Sequence, residues 1–402
     1  MRRPAAVAVA MVVALAALLG AAGTAAAQKN RWGEVHDRDL VPEATPPAII
    51  LLTIGRGEVI FEKFGHTALC LDYHDPQRGS VCFNYGVTEF GDSGLVWNFI
   101  RGKQKFWVEP VWLDAMMSFY VRGEDRTVWS QVLPLPPAQA RAVEAKLLDD
   151  IKEANRYYYY DHFADNCTTR LRDIIDEATD GKLRAGADAK FPSTFRQMGR
   201  RGLAELPPLI AFADFAVGRA LDVHPTLYQA MFHPYVLMDE VHKRFEVEPK
   251  LLYERQGPAI PDDGPTGRPW ALLIGLLFAA PLVAAKLLGR GERAAVAIVT
   301  VPLFLLGTII WTAAILSTIP GLRWNEAVFL YVPFDVVLPF LGAARRRQYA
   351  RVRLGMVVLV SLLRAVGLFL QPLWVPIVIA FVIFGLMALD VRKLVSRPQA
   401  TA

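Results

Sequence analysis

The sequence predicts an exported α+β domain followed by an all-α transmembrane bundle. Three observations carry this. The N-terminus has the anatomy of a secretory signal. Strand-type and helix-type patterns then mix without a βαβ rhythm up to about residue 256. From residue 269 the chain becomes a series of apolar stretches near the ~20 residues that cross a bilayer.

Residues 1–27 form the signal. Arg2 and Arg3 make a charged start, residues 5–20 an apolar run, and Ala25, Ala26 and Ala27 a small-residue cleavage site before Gln28. An uncleaved anchor is the alternative. No cysteine lies near the cleavage site, so the chain is not itself expected to be lipidated there.

Residues 28–256 read as the exported domain. After a polar lead-in, Ala48–Ile54 (AIILLTI) is a buried strand broken by Gly55 and Gly57. Strands from about His66 to Leu71 and from Val81 to Tyr85 flank a turn-rich segment and read as a hairpin. Thr127–Leu133 is a further strand. Pro136 and Pro137 open a helix expected to reach about Arg156. A second helix starts at Cys167, with Leu171, Ile174, Ile175 and Ala178 on one face and Gly181 at its end. The apolar runs within 191–250 read as core helices, with a membrane-facing surface as the alternative. Residues 257–268 are a Pro/Gly linker.

Five apolar stretches follow, at about 269–288, 294–317, 326–343, 354–371 and 373–390, with a tail at 391–402. Arg290 and Arg293, then Arg345, Arg346, Arg347, Arg351 and Arg353, then Arg392 and Lys393, place basic loops on alternate sides. The positive-inside rule then puts 28–267 outside the cytoplasm, in agreement with the signal. The tight turn at Gln371–Pro372 keeps four or six spans open. Asp335 and Arg364 fall midway along the third and fourth stretches and are expected to pair, since charges at that depth are costly alone. A headgroup site is the alternative.

The net charge of +5 reflects the membrane segments. With 14 Lys/Arg and 4 Asp/Glu from residue 268 onward and 2 Arg in the signal, residues 28–267 hold 28 basic and 35 acidic residues, a net of −7. Nucleic acid is therefore not an expected partner.

Three cysteines in an oxidising compartment leave at least one unpaired. Cys70 and Cys82 face each other in the hairpin register, either as a disulfide or as two buried thiols. Cys167 remains. Asn166 is a good helix N-cap and sets Cys167 in the first turn, where the helix dipole and free N–H groups favour a thiolate. A buried structural thiol is the bland alternative; position, compartment and parity favour a nucleophile. His66, opening a strand after Phe64-Gly65, is the candidate base. His162 sits on an aromatic run and is read as pointing elsewhere; His36, His74, His224, His233 and His242 are read as surface residues. If Cys70 faces Cys82, Asn84 falls on the face of His66, one step diagonal, and could orient the imidazole; a plain turn or edge residue is the alternative. A one-residue slip would put Tyr85 there instead. Asn166, Tyr85 and Arg170 are the supporting positions. No HxxxH or CxxC pattern suggests a metal, and no cofactor is expected.

Phe64-Gly-His-Thr-Ala-Leu69, Phe83-Asn-Tyr-Gly86 and Asp165-Asn-Cys-Thr-Thr-Arg170 together resemble the exported domain of the Lnb-type bacterial lipoprotein N-acyltransferases. A His strand before a Cys helix is also similar to circularly permuted papain-like enzymes such as lecithin:retinol acyltransferase. The resemblance covers about 46–250 and extends to the C-terminal bundle. It implies a circularly permuted papain-like fold at the outer face of the bacterial inner membrane, in the periplasm. It implies that Cys167 takes an acyl chain from a membrane phospholipid, with His66 as base and backbone N–H groups near Cys167 holding the oxyanion. The chain then passes to the N-terminal amine of a diacylated lipoprotein. Two other readings use the same residues: a thiol hydrolase of lipid or cell-wall substrates, and a non-enzymatic membrane scaffold.

Overall fold

The structure, a computed structural model, describes residues 34–58, 62–75, 78–89, 94–261 and 263–389. The signal segment 1–27 and the tail 391–402 lie outside the described residues. The described chain forms two units: one up to Glu205 together with Val223–Asp263, the other Leu206–Asp222 together with the chain from Gly264.

The first unit is built on a seven-stranded antiparallel sheet, in the order β6-β4-β3-β2-β1-β5-β7. Its strands are β1 (Ala48–Ile54), β2 (His66–Asp72), β3 (Val81–Val87), β4 (Lys105–Trp112), β5 (Val128–Leu133), β6 (Tyr157–Tyr159) and β7 (Lys250–Tyr253). The helices are α1 (Leu95–Ile100), α2 (Leu113–Met117), α3 (Pro137–Asp150), α4 (Cys167–Ala178), α5 (Phe195–Gly202), α7 (Leu227–Ala230) and α8 (Pro234–Phe245).

Both faces of the central strands are covered, which is why β1 reads as an unbroken apolar run rather than an alternation. On one face Leu51, Leu69, Phe83 and Tyr85 pack against Val143 and Leu147 of α3 and Leu171 and Ile175 of α4. On the other, Leu52, Ile54, Ala68 and Val111 pack against Met116 of α2 and Tyr120. Each fully buried Leu or Val of this kind stabilises the fold by about 1.5–3 kcal/mol.

The β2–β3 register sets Cys70 opposite Cys82, and the two form a disulfide. α3 stops at Asp150, short of the expected Arg156. The Asn155 amide bonds Asp149 Oδ2 at 2.9 Å and the Arg156 N–H bonds Lys152 O at 2.9 Å, a turn that feeds Tyr157–Tyr159 onto the edge of β4. β4 itself escapes the pattern because Glu109 and Pro110 interrupt its apolar residues. The start of the expected linker is fixed rather than loose: Asp125 accepts from Tyr253 Oη, Gln256 N and Gly257 N.

The second unit is helical: α6 (Pro207–Ala216), α9 (Arg268–Phe278), α10 (Ala280–Leu288), α11 (Glu292–Leu316), α12 (Pro320–Arg323), α13 (Ala343–Ala365) and α14 (Trp374–Ala388). Among the described residues two helices, Arg268–Leu288 and Glu292–Leu316, are long and apolar enough to cross a membrane. The third expected span is not one α-helix. Its residues form 3-10 turns at Glu326–Phe329 and Pro333–Phe340, because Pro333 and Pro339 remove backbone donors. α13 starts at Ala343, so the Arg345–Arg347 cluster lies inside the helix rather than in a loop before it. α14 has 15 residues, which is about 22 Å at 1.5 Å per residue.

The apolar run 207–218 was expected in the core of the exported domain, but it belongs to this second unit. Asp214 accepts from Arg268 Nε at 2.5 Å, and Asn325 Nδ2 donates to Phe215 O and Ala216 O. The Gln371–Pro372 turn is anchored by Glu326, whose carboxylate accepts from Leu370 N and Gln371 N.

Asp335 does not pair with Arg364. It pairs with Arg353 at 2.9 Å and accepts from Tyr349 Oη at 3.0 Å. Tyr349 and Arg353 are one helical turn apart and share a face of α13, whereas Arg364 lies three turns further along. Arg364 is exposed and donates to Phe369 O. Arg353 completes its bonds with Phe329 O and Leu330 O.

Candidate active site

Cys167 is the free cysteine among the described residues and is partly exposed. It opens α4 because Asn166 caps that helix: Asn166 Oδ1 accepts from Thr168 N at 2.9 Å and Thr169 N at 2.8 Å, and Thr169 Oγ1 accepts from Asn166 N at 2.8 Å. The cap is itself tied down, since Asn166 Nδ2 donates to His162 O and Phe232 O. Two first-turn N–H groups expected to be open to an oxyanion are therefore already occupied.

His66 begins β2, and Gly65 allows it to. Gly65 has φ 85°, and a Cβ there would stand 2.9 Å from Ile54 O. His66 Nε2 lies 2.6 Å from Asn84 Oδ1. The register explains the meeting: Cys70 opposite Cys82 places Ala68 opposite Asn84 and His66 one diagonal step away, on the same face. With Nε2 engaged by Asn84, Nδ1 is the ring nitrogen left over. Gly86, with φ 98°, holds a left-handed backbone beside Cys167 that a side chain would strain; a Cβ there would meet that of Cys167 at an ordinary contact distance of 3.8 Å.

Burial pushes the Cys167 thiol up, but the charge and hydrogen bond of His66, the Thr168 hydroxyl and the Thr67 backbone N–H outweigh it. The thiol is held at about 7 rather than 9. Thr168 Oγ1 is 3.7 Å from Cys167 Sγ and accepts from Thr67 Oγ1 at 3.1 Å. These two threonines were not singled out from sequence, because hydroxyls beside a helix start ordinarily read as capping groups.

The other supporting positions resolve differently. Tyr85 points to the opposite face, where its hydroxyl donates to Asp150 at 2.7 Å, so the slipped register is ruled out. Arg170 bonds both oxygens of Asp165 and stacks over Tyr158 at 3.9 Å, bracing the loop before α4.

Two histidines differ from expectation. His162 lines the same pocket as Cys167, together with Phe64, Tyr160, Phe232 and Pro234. Burial lowers it to about 4, so it is neutral. His233, read as a surface residue, is 7 % exposed and is lowered to about 3 by burial and by Arg56. It stands at the N-cap position of α8, next to the pocket-lining Pro234, without a side-chain capping bond. Aromatic neighbours hid both: Phe163 and Phe232 enclose His162, and such a cage forms only in three dimensions.

Behind His66 sits a charged cluster that the sequence did not reveal. Tyr120 packs 5.9 Å from the His66 ring and beneath Arg126, whose guanidinium pairs with Glu124 at 3.0 Å and Glu62 at 3.6 Å. Burial raises Glu62 to about 7, with Arg126 opposing and Glu124 adding to the shift. Among the described residues no group of acidic, His and Cys side chains has the makings of a metal site.

Chemically, the arrangement is a partly exposed low-pKa thiol, a neighbouring imidazole and an amide holding that imidazole, at the mouth of an aromatic pocket. Residues 44–201 match the family model described as the Lnb N-terminal periplasmic domain, which holds over that segment the resemblance read from the motifs. His66, Asn84 and Cys167 all fall inside it. No curated protein and no solved structure matches the chain. A periplasmic domain with two helices long and apolar enough to cross a bilayer describes a membrane-associated protein.

Proposed function

Taking residues 44–201 as an Lnb-type periplasmic domain, we propose that the chain transfers an acyl chain from a membrane phospholipid to the N-terminal amine of diacylated lipoproteins, through a thioester on Cys167. The observation that carries this reading is the meeting of His66 with Asn84 and with the thiol of Cys167 at the start of α4.

Cys167 Sγ, deprotonated by His66, bonds to the ester carbonyl carbon while the C=O π pair moves onto oxygen. When C=O reforms, the glycerol oxygen leaves with its electron pair and takes the proton from His66. A lysophospholipid departs and the thioester remains. The lipoprotein amine then bonds to the same carbon and gives a proton to His66, and the Cys167 thiolate leaves. Asn84 holds the imidazole so that Nδ1 faces sulfur in both halves.

A His strand ahead of a Cys helix on one antiparallel sheet fits a circularly permuted papain-like domain. The helical unit would hold that domain at the outer face of the inner membrane, where both substrates are lipid-anchored, so that proximity replaces diffusion.

The test is to incubate the purified full chain with labelled phospholipid and a diacylated lipopeptide. N-acylated peptide and lysophospholipid should form together and require Cys167. Free fatty acid without acylated peptide would make water the acceptor and replace this reading with hydrolysis.

A further inference from the structure

The oxyanion is the part of this chemistry that the residues above leave short of donors. Thr168 N and Thr169 N are committed to Asn166 Oδ1, which leaves the Cys167 N–H as the donor of the first turn. Acyl transfer is served by donors fixed about 2.7–3.1 Å from the oxyanion, and a second one is needed.

The pocket offers a candidate. Tyr160 and His162 both line it with Cys167. Tyr160 Oη lies 3.0 Å from His162 Nδ1. His162 Nε2 is buried without a partner. The imidazole is packed by Phe64 at 4.2 Å, Phe163 at 4.8 Å and Phe232 at 5.8 Å. Two proton arrangements fit the Tyr160–His162 bond. If Tyr160 donates, His162 carries its proton on Nε2, a buried N–H without a partner among phenyl rings. If His162 Nδ1–H donates, Nε2 is a bare lone pair and the Tyr160 proton is free to turn into the pocket. His162 Nε2 lacks a partner in either arrangement; the second is the one that leaves the Tyr160 O–H free for an oxygen arriving in the pocket, so a bound oxyanion selects it. The Tyr158 hydroxyl is also buried without a partner, but Tyr158 belongs to the core and does not line the pocket.

We propose that Tyr160 is a catalytic residue whose hydroxyl, together with the Cys167 N–H, binds the oxyanion, and that His162 is the positioning residue that aims it. This rests on the nucleophilic role of Cys167 given above. As Sγ bonds to the carbonyl carbon and the π pair moves to oxygen, that oxygen accepts both hydrogen bonds without taking a proton. When C=O reforms, the two bonds weaken and the leaving group departs. The same hole serves both half-reactions, because the oxygen is the same atom.

The test separates the hole from the thiol. The full chain is given p-nitrophenyl butyrate, whose acylation of Cys167 passes through an oxyanion, and, separately, iodoacetamide, whose alkylation of Cys167 does not. Cys70 and Cys82 are disulfide-bonded and stay silent. Tyr160→Phe, which keeps the ring stacked 4.4 Å from Phe106, should slow the acylation burst by about 10²–10³-fold. KM and the alkylation rate should hardly change. His162→Leu should slow the burst less, and His162→Asn, which can still donate to Tyr160, should restore most of it. A Tyr160→Phe burst at the wild-type rate, or an equal fall in burst and alkylation, overturns the assignment. So does a wild type that is alkylated at Cys167 but gives no burst. The activated ester needs neither phospholipid nor lipoprotein, so failure of lipoprotein acylation would leave this readout standing.

Discussion

His66 Nε2 lies 2.6 Å from Asn84 Oδ1, and the pair exists because the β2–β3 register sets Cys70 against Cys82. A bond at one end of the hairpin therefore depends on a pairing at the other. Shifting β3 by one residue would replace Asn84 with Tyr85, which belongs to the opposite face.

Asn84→Ala should leave Cys167 present and alkylatable but free the imidazole to rotate. We expect kcat to fall by about 10- to 100-fold, less than the ~10²–10⁴-fold usual for an acid–base group itself because Asn84 only orients one, with KM little changed. Steady-state acyl transfer measures this. An unchanged kcat would mean that Asn84 is only a sheet residue.

The thiol of Cys167 is held at about 7 against burial, chiefly by His66. The thiolate is the form present above that pH, so alkylation should rise as pH passes through 7 and level off by 9. In His66→Ala the burial remains and its largest counterweight is gone, leaving only the Thr168 hydroxyl and the Thr67 N–H to oppose it. The midpoint should then move well above 7. A midpoint that stays near 7 in His66→Ala would transfer the effect to the helix start and the threonines.

Cys70 and Cys82 close a loop of sequence separation 12, and both are fully buried. Replacing both with Ala should cost about 3 kcal/mol, the figure for loops near that length. Thermal unfolding of the full chain with and without reductant measures it. The reductant effect should vanish in the double variant.

Asp335 and Arg353 are both almost wholly buried, and each is the other's counter-charge. Removing Asp335 alone leaves the guanidinium uncompensated and should cost about 3–5 kcal/mol. Asp335→Ala should express poorly or unfold early, whereas Arg364→Glu should be tolerated because Arg364 is exposed. Recovery in an Asp335→Leu, Arg353→Met double variant should be partial, since Phe329 O and Leu330 O also lose their donor.

The local signals in the sequence were strong where one residue fixes one outcome. AIILLTI gave β1 with its bounds, Asn166 gave the start of α4, and hairpin symmetry gave the Cys70–Cys82 register that carries His66 to Asn84. What escaped was decided by packing across the chain. β4 hides a strand behind Glu109 and Pro110, and β6 exists because it can pair with β4. His162 and Tyr160 looked like an aromatic run until Phe232, some 70 residues on, closed the cage. Mid-stretch position suggested Arg364 for Asp335, but Pro333 and Pro339 turned the third apolar stretch into 3-10 turns, and the face of α13 then chose Arg353.

The most direct test of the central claim is the intact mass of one lipoprotein, purified from cells that lack other N-acylation and carry either the wild-type chain or Cys167→Ala. The account expects the mass of one added acyl chain with the wild type and none with Cys167→Ala. An added acyl mass that persists without Cys167, or its absence beside well-expressed wild-type protein, would contradict it.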